Sequence, residues 1–267
     1  MVDATVIGAS GFVGAALVRR LRADGIDVAA IGRGESLPSG LGDVFFCAGL
    51  TADFRSRPHD TIDAHVCAVN QILKRGDLSS LTYLSSTRVY QRSLSGAEDA
   101  TIPVDPRDPS DLYNLSKLTG EAICLADPRS SIRAVRLSNV FAARDRSENF
   151  LNSVVREALH RNEVTILAGR SAAKDYISLR DAVDAIARMP ICATSRLINI
   201  ASGHQISNEV IGALVEKHLG AVVHYSEKDT GSIFPTVEVS RMREELAIRP
   251  AAFVDSFIDY VAELRQS

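Results

Sequence analysis

A tyrosine and a lysine four residues apart, Tyr113 and Lys117, are the side chains of this chain best suited to chemistry. They lie in a stretch whose apolar spacing predicts a helix over 111–126, so they share one helix face, one turn apart. A lysine charge there favours an ionised phenol and lowers a tyrosine pKa from its usual value of about 10. Such a phenol could take a proton from an alcohol while a hydride leaves the same carbon.

Hydroxyl side chains follow a predicted strand over 81–85. Ser86 and Thr87 come directly after it, and open α/β folds bind ligands where the carboxyl ends of parallel strands meet. We therefore predict that Ser86 donates a hydrogen bond to the reacting oxygen, with Thr87 as a second hydroxyl nearby. The alternative is a turn rich in Ser and Thr that only caps the next element.

A glycine-rich turn at 8–14 separates a predicted strand over 4–7 from a predicted helix over 12–24. Glycines at such a turn let the backbone approach a pyrophosphate, which then lies at the positive end of the helix. The dinucleotide-binding residues predicted here are Gly8, Ser10, Gly11, Phe12, Val13 and Gly14.

Strands and helices alternate along the rest of the chain. The predicted strands are 4–7, 28–32, 44–48, 81–85, 132–137, 164–167 and 197–200. The predicted helices are 12–24, 60–75, 111–126, 147–161, 181–188, 207–219 and 253–265. This alternation is typical of a doubly wound parallel sheet, so the predicted fold class is α/β of the Rossmann type.

The link between the second and third predicted strands is short. About a dozen residues, from Gly32 to Asp43, span it, and an extended chain covers only about 3.3–3.6 Å per residue. Such a link can return along the sheet and cross one strand, but it cannot hold a further strand and helix. We predict a sheet truncated after its second strand, with strand 28–32 at its edge.

Composition narrows the class of protein. The chain has 267 residues, a formal net charge of −3 and no basic stripe, which disfavours nucleic acid as a partner. No apolar run approaches the ~20 residues of a membrane span, and the N-terminus leads directly into a strand, so we expect no signal peptide. Four cysteines lie in apolar segments without metal-ligand spacing, which predicts reduced core thiols in a cytoplasmic protein and no metal site.

Together these segments resemble the extended short-chain dehydrogenase/reductase family, which contains sugar-nucleotide epimerases, dehydratases and reductases. The segments that carry the resemblance are 8–14, 44–49, 84–90, 113–121, 135–141 and 174–181. It implies a Rossmann domain over 1–140 that also receives strands near 173–200, and a substrate lobe formed mainly by 141–267.

The resemblance also implies roles for individual residues. Tyr113 would be the acid/base, and Lys117 would bind the nicotinamide ribose. Further cofactor contacts would come from Cys47, Ala48, Gly49, Asn70 and Leu137. Substrate contacts would come from Arg88, Asn139 and Lys174.

The end of the second strand bears on cofactor preference. NAD-preferring enzymes place a carboxylate there for the ribose hydroxyls, whereas this chain has Gly32 and Arg33. An arginine fork could hold a 2′-phosphate. We therefore expect NADP, with NAD possible because Glu35 is near.

The reaction type stays open at this point. The family's 4,6-dehydratases carry Asp-Glu where this chain has Thr87-Arg88, so 4,6-dehydration is disfavoured. Epimerisation or net ketone reduction of a nucleotide sugar is expected. Lys174 replaces a diphosphate-binding arginine, which leaves a non-nucleotide carbonyl substrate as an alternative. A non-catalytic NADP-binding sensor or scaffold is the other alternative.

Two predicted helices, 60–75 and 111–126, have apolar residues on more than one side. The family often dimerises through these helices as a four-helix bundle. We expect a homodimer of the same kind.

Overall fold

The computed structural model of the chain describes residues 2–51, 53–143, 145, 149–226 and 234–266. The strands are β1 (Ala4–Ile7), β2 (Val28–Ile31), β3 (Gly42–Phe46), β4 (Leu78–Ser86), β5 (Ile132–Leu137), β6 (Asn139–Phe141), β7 (Glu163–Ile166), β8 (Ala173–Ser178), β9 (Leu197–Ile200), β10 (Gln205–Ser207) and β11 (Val222–Tyr225). The helices are α1 (Phe12–Ala23), α2 (Pro58–Ile62), α3 (Ala68–Arg75), α4 (Asp111–Ala126), α5 (Phe150–Arg161), α6 (Leu179–Cys192), α7 (Asn208–Leu219), α8 (Ser240–Glu245) and α9 (Phe253–Leu264).

The main sheet has six parallel strands in the order β2-β1-β3-β4-β5-β9. The predicted truncation is confirmed, because β2 lies at the edge and pairs in the sheet with β1 alone. The short link from β2 crosses β1 to enter β3, and it contributes no strand of its own. All carboxyl ends of these strands therefore meet at one edge.

Helices cover both faces of this sheet, as the alternation predicts. Helices α1 and α6 pack with Phe45 and Leu84 on one face, and α3 and α4 pack with Phe46 and Tyr83 on the other. Successive strand residues thus point into opposite layers.

The predicted helix over 60–75 is present but irregular. It begins at Pro58, and a π-helical turn over Asp63–Cys67 joins α2 to α3. The predicted helix over 147–161 begins at Phe150, and residues 147 and 148 lie outside the described residues.

A second cluster of apolar residues lies beside the main sheet. Two small sheets, β10-β8-β6 and β11-β7, surround it together with α5, α7 and α9. Strands within residues 173–200 were expected to join the main sheet. Strand β9 joins the main sheet, whereas β8 does not. Tyr176 on β8 instead packs against Phe253 of α9, so β8 belongs with the small sheets.

The cysteines differ from the expectation in part. Cys124 is buried and Cys47 half-buried, but Cys67 and Cys192 are exposed, and all four are free thiols. The prediction of core thiols is wrong for the exposed pair, because both occupy outward positions on helical turns. Within the described ranges, no helix combines the length and apolarity needed to cross a bilayer.

Candidate active site

A cleft of about 550 Å³ opens at the carboxyl edge of the main sheet, between the sheet and the small-sheet cluster. Most of the predicted site residues line it: Gly11, Phe12, Val13, Gly14, Cys47, Ala48, Gly49, Ser86, Thr87, Arg88, Tyr113, Lys117, Leu137, Asn139 and Lys174. Four predicted residues do not line it: Gly8, Ser10, Arg33 and Asn70.

The glycine turn forms one wall of the cleft. Gly8 adopts φ +84°, and a Cβ on it would lie 2.6 Å from the Ala48 nitrogen, so this position requires glycine. The turn thereby packs directly against the end of β3, and α1 begins at Phe12 above it. Ser10 lines a neighbouring cavity between α1 and α6. The backbone approach and the helix N-terminus together fit a dinucleotide pyrophosphate.

Ser86 and Tyr113 meet inside the cleft. Ser86 ends β4, and its hydroxyl accepts a hydrogen bond from the Arg88 nitrogen at 3.2 Å, which starts the following 3₁₀ turn. The Ser86 side chain also acts to lower the pKa of the Tyr113 phenol, and both side chains line the cleft. The structure thus brings together a hydroxyl and a phenol that come from separate elements.

Lys117 lies on the same face of α4 as Tyr113. Its Nζ donates to the Leu84 carbonyl at 2.9 Å and lies 6.0 Å from the centroid of the Tyr113 ring. Burial lowers the pKa of Lys117 to about 8, against the opposing charge of Glu121. A Cβ at position 49 would approach Nζ to 3.3 Å, so Gly49 leaves room beside the ammonium group.

The electrostatics of Tyr113 differ from the expectation. Burial raises the pKa of Tyr113, and the Ser86 side chain and the charge of Arg88 act against this rise. Arg88 is thus a cation that favours the phenolate in this structure.

His65, which the sequence analysis did not single out, lies beside Gly49 at the edge of the cleft. It is fully buried. Its Nε2 accepts a hydrogen bond from the Leu50 nitrogen at 2.9 Å, and its Nδ1 lies 2.8 Å from the Ser116 hydroxyl. Its ring meets Tyr113 edge-on, with centroids 5.4 Å apart. Burial and the Lys117 charge lower the pKa of His65 to about 3, so the imidazole is neutral. It links the loop after β3 to α4.

Asn70 does not line the cleft, and its predicted cofactor contact stays a prediction. Asn70 is half-buried on α3, outside the cleft lining, whereas the π-helical turn directs His65 toward Lys117. His65 lies within this π-helical turn, and its ring lies near Gly49 and Lys117.

Asp175 fixes the far wall of the cleft. Its carboxylate accepts hydrogen bonds from the Ser138 hydroxyl at 2.6 Å and from the Ser202 and Gly203 nitrogens at 2.9 and 2.7 Å. The amide of Asn139 donates to the Asp175 carbonyl at 2.8 Å. These bonds hold β6 and the loop after β9 in place next to Lys174.

A buried ion pair lies behind the cleft. Arg136 donates to Glu121 through Nη2 at 2.8 Å and Nε at 3.1 Å, and the two side chains are only 5% and 3% exposed. Burial opposes the Arg136 charge, but the hydrogen bonds and charge of Glu121 hold its pKa above the usual range. The Ser85 hydroxyl also donates to Glu121. The structural pairing of Arg136 thus secures α4 to the sheet.

The end of β2 carries a carboxylate after all. Arg33 is exposed, whereas Glu35 turns back so that its Oε2 accepts a hydrogen bond from the Gly32 nitrogen at 2.6 Å. Its carboxylate therefore occupies the strand end at which the sequence shows no acid.

The model of the NAD dependent epimerase/dehydratase family matches residues 4–201. The chain belongs to this family. The predicted resemblance is thereby confirmed, and the chain is an enzyme of the extended short-chain dehydrogenase/reductase type.

A curated relative is the protein of Bacillus subtilis (strain 168) described as uncharacterized UDP-glucose epimerase YtcB. It is 22% identical over 230 residues, which cover 81% of this chain and 72% of that protein. Among solved structures, MoeE5 in complex with UDP-glucuronic acid and NAD superposes with a TM-score of 0.84 at 21% identity and 99% coverage of both chains. RMD from Pseudomonas aeruginosa complexed with NADPH gives 0.82 at 18% identity and full coverage of both. These structures share the fold of this chain.

Proposed function

We propose that this protein is a nucleotide-sugar epimerase that uses a nicotinamide dinucleotide. The observation that carries the proposal is that Ser86, Tyr113 and Lys117 line one cleft together with the glycine turn. The curated relative is described as a UDP-glucose epimerase, and MoeE5 was solved with a UDP-sugar, which supports a substrate of that class.

Each site residue has a defined task in this proposal. The glycine turn and the start of α1 bind the pyrophosphate, and Lys117 binds the nicotinamide ribose. The bound dinucleotide supplies a hydride acceptor and donor. Tyr113 takes the proton from the substrate hydroxyl and later returns it, and Ser86 donates a hydrogen bond to the same oxygen as charge develops there.

Net reduction of a keto-sugar is the second candidate, since the same residues would deliver a proton to a carbonyl oxygen. The NADPH complex of RMD supports it. Mass spectrometry of the purified protein after denaturation separates the two. Carried NAD, together with isomer formation from a UDP-sugar without added cofactor, is the result expected for an epimerase. A cofactor-free protein that consumes NADPH with a keto-sugar would establish the reductase.

The position of Glu35 leads us to propose NAD as the preferred cofactor, in place of the NADP expected from Arg33. A carboxylate at the end of β2 accepts hydrogen bonds from ribose hydroxyls and repels a 2′-phosphate. Structural neighbours bind NAD or NADPH, so they support a nicotinamide cofactor of either kind.

Glu35→Gln is expected to weaken NAD binding by about 10- to 100-fold, because it removes a charged hydrogen-bond acceptor. Titration calorimetry with NAD and NADP measures the change. Arg33→Ala, two residues away and also exposed, is the matched control and should leave NAD affinity unchanged. A wild-type preference for NADP that Arg33→Ala abolishes would show that the preference inferred from Glu35 is wrong.

We also propose a homodimer through the face formed by α2, α3 and α4. Ile62 is exposed on this face, and Leu115 of α4 is half-buried. A dimer would bury these apolar side chains. Light scattering at micromolar concentration is expected to give twice the chain mass of 28.8 kDa, and a monomeric mass would exclude this interface.

A further inference from the structure

Arg88 lies close to the ring of Tyr113 and is charged. The proposed acid/base mechanism gives this side chain no role. It follows Ser86 in the 3₁₀ turn after β4 and lines the cleft. Its guanidinium carbon lies 5.6 Å from the centroid of the Tyr113 ring and 5.3 Å from that of Phe54. Two aromatic rings therefore hold the cation beside the reacting phenol.

No carboxylate among the described residues forms an ion pair with this guanidinium. Its Nε is buried and has no hydrogen-bond partner within the described part of the chain. Its Nη2 makes one long bond, of 3.3 Å, to the Ser110 carbonyl. The nearby acids Asp108 and Asp111 both pair with Arg92 instead. Partial burial of a guanidinium with an unpaired N–H donor is unfavourable in free energy unless an anion binds to it.

A second cation adds to the positive potential of this part of the cleft. Lys174 is half-buried on β8 and also lines the cleft. Burial lowers the pKa of Lys174, and the charge of Arg88 lowers it further, so the two cations are close enough to repel each other. The opposing acid on this wall, Asp175, already accepts hydrogen bonds from Ser138, Ser202 and Gly203. The polarity of the cleft therefore favours an anionic ligand with more than one charged group.

We propose that the sugar of the substrate carries a carboxylate and that Arg88 binds it, which makes the substrate a nucleotide-activated uronic acid. This inference rests on the proposed epimerase function and adds the class of sugar. The nucleotide diphosphate is the other source of negative charge. Arg88 lies beside the ring of the acid/base residue. A substrate group bound by Arg88 would therefore lie close to the reacting carbon. A carboxylate on the same sugar ring would lie at that distance from the reacting carbon. A guanidinium fork binds a carboxylate through two parallel hydrogen bonds.

Titration calorimetry with UDP-glucuronic acid, UDP-glucose and UDP, on the full chain with NAD present, tests this inference. Wild-type protein is expected to bind UDP-glucuronic acid about 10- to 100-fold more tightly than UDP-glucose, the range for hydrogen bonds to a charged group. Arg88→Met removes the charge but keeps most of the side-chain volume. It should abolish this preference while the affinity for UDP stays unchanged. Arg92→Gln, in the same turn but paired with Asp108, is the matched control and should keep the preference.

Four results would overturn the inference. Equal wild-type affinities for the two UDP-sugars would show that the site has no carboxylate subsite. An equal loss of UDP and UDP-glucuronic acid binding in Arg88→Met would place the diphosphate at Arg88. If the protein inverts UDP-glucose but neither binds nor inverts UDP-glucuronic acid, the uronic acid inference fails and the epimerase proposal stands. If none of the three nucleotides binds, both fail.

Discussion

Tyr113→Phe is expected to lower turnover by about 10²- to 10⁴-fold, the usual contribution of a positioned acid/base. The substitution removes one oxygen from a residue that is 6% exposed, so the ring still packs against Phe54 and His65. Affinities for cofactor and UDP-sugar should therefore stay unchanged. Turnover is measured as isomer formation by NMR, and binding by calorimetry.

Tyr225→Phe is the control for this variant. Tyr225 lies on β11, outside the cleft lining, and the loss of its hydroxyl should leave turnover unchanged. If Tyr113→Phe retained turnover close to that of the control, Tyr113 would not be the acid/base.

Glu121→Gln is expected to lower the free energy of unfolding by about 3–5 kcal/mol, because it leaves the buried Arg136 charge uncompensated. Urea unfolding followed by circular dichroism measures the loss. The double variant Glu121→Leu/Arg136→Met removes both charges, so it should lose less stability than Glu121→Gln alone.

The exposed pair Arg161–Glu157 provides a comparison on a helix surface. Glu157→Gln should lower the free energy of unfolding by no more than about 0.5 kcal/mol, as expected for solvent-exposed pairs four residues apart. A similar small cost for Glu121→Gln would mean that the buried pair does not secure α4 to the sheet.

Features of the fold that depend on chain length and apolar pattern could be predicted from the sequence. The link from Gly32 to Asp43 is too short for a further strand, and β2 accordingly lies at the edge of the sheet. The carboxyl ends of β1, β3 and β4 lie next to one another as expected, because these strands are parallel and pair in one sheet. Most of the predicted site residues lie in one cleft for that reason.

Features that depend on local backbone geometry could not be predicted in this way. The π-helical turn that contains His65 has no clear sequence signal. Glu35 reaches the end of β2 because Gly34, with φ +80°, lets the chain turn back. Strand β8 joins the small sheets through packing against α9, which the strand's own sequence does not specify.

Hydrogen tracing at the reacting carbon tests the central claim most directly. The protein is given a UDP-sugar that carries deuterium at the carbon whose configuration changes, in ordinary water, and the product is examined by NMR. We expect the product to keep its deuterium, because the deuterium leaves that carbon as a hydride and returns to it. Tyr113 transfers only the proton of the hydroxyl group. Replacement of the deuterium by solvent hydrogen would mean that the carbon loses a proton instead, and it would contradict hydride transfer at this site.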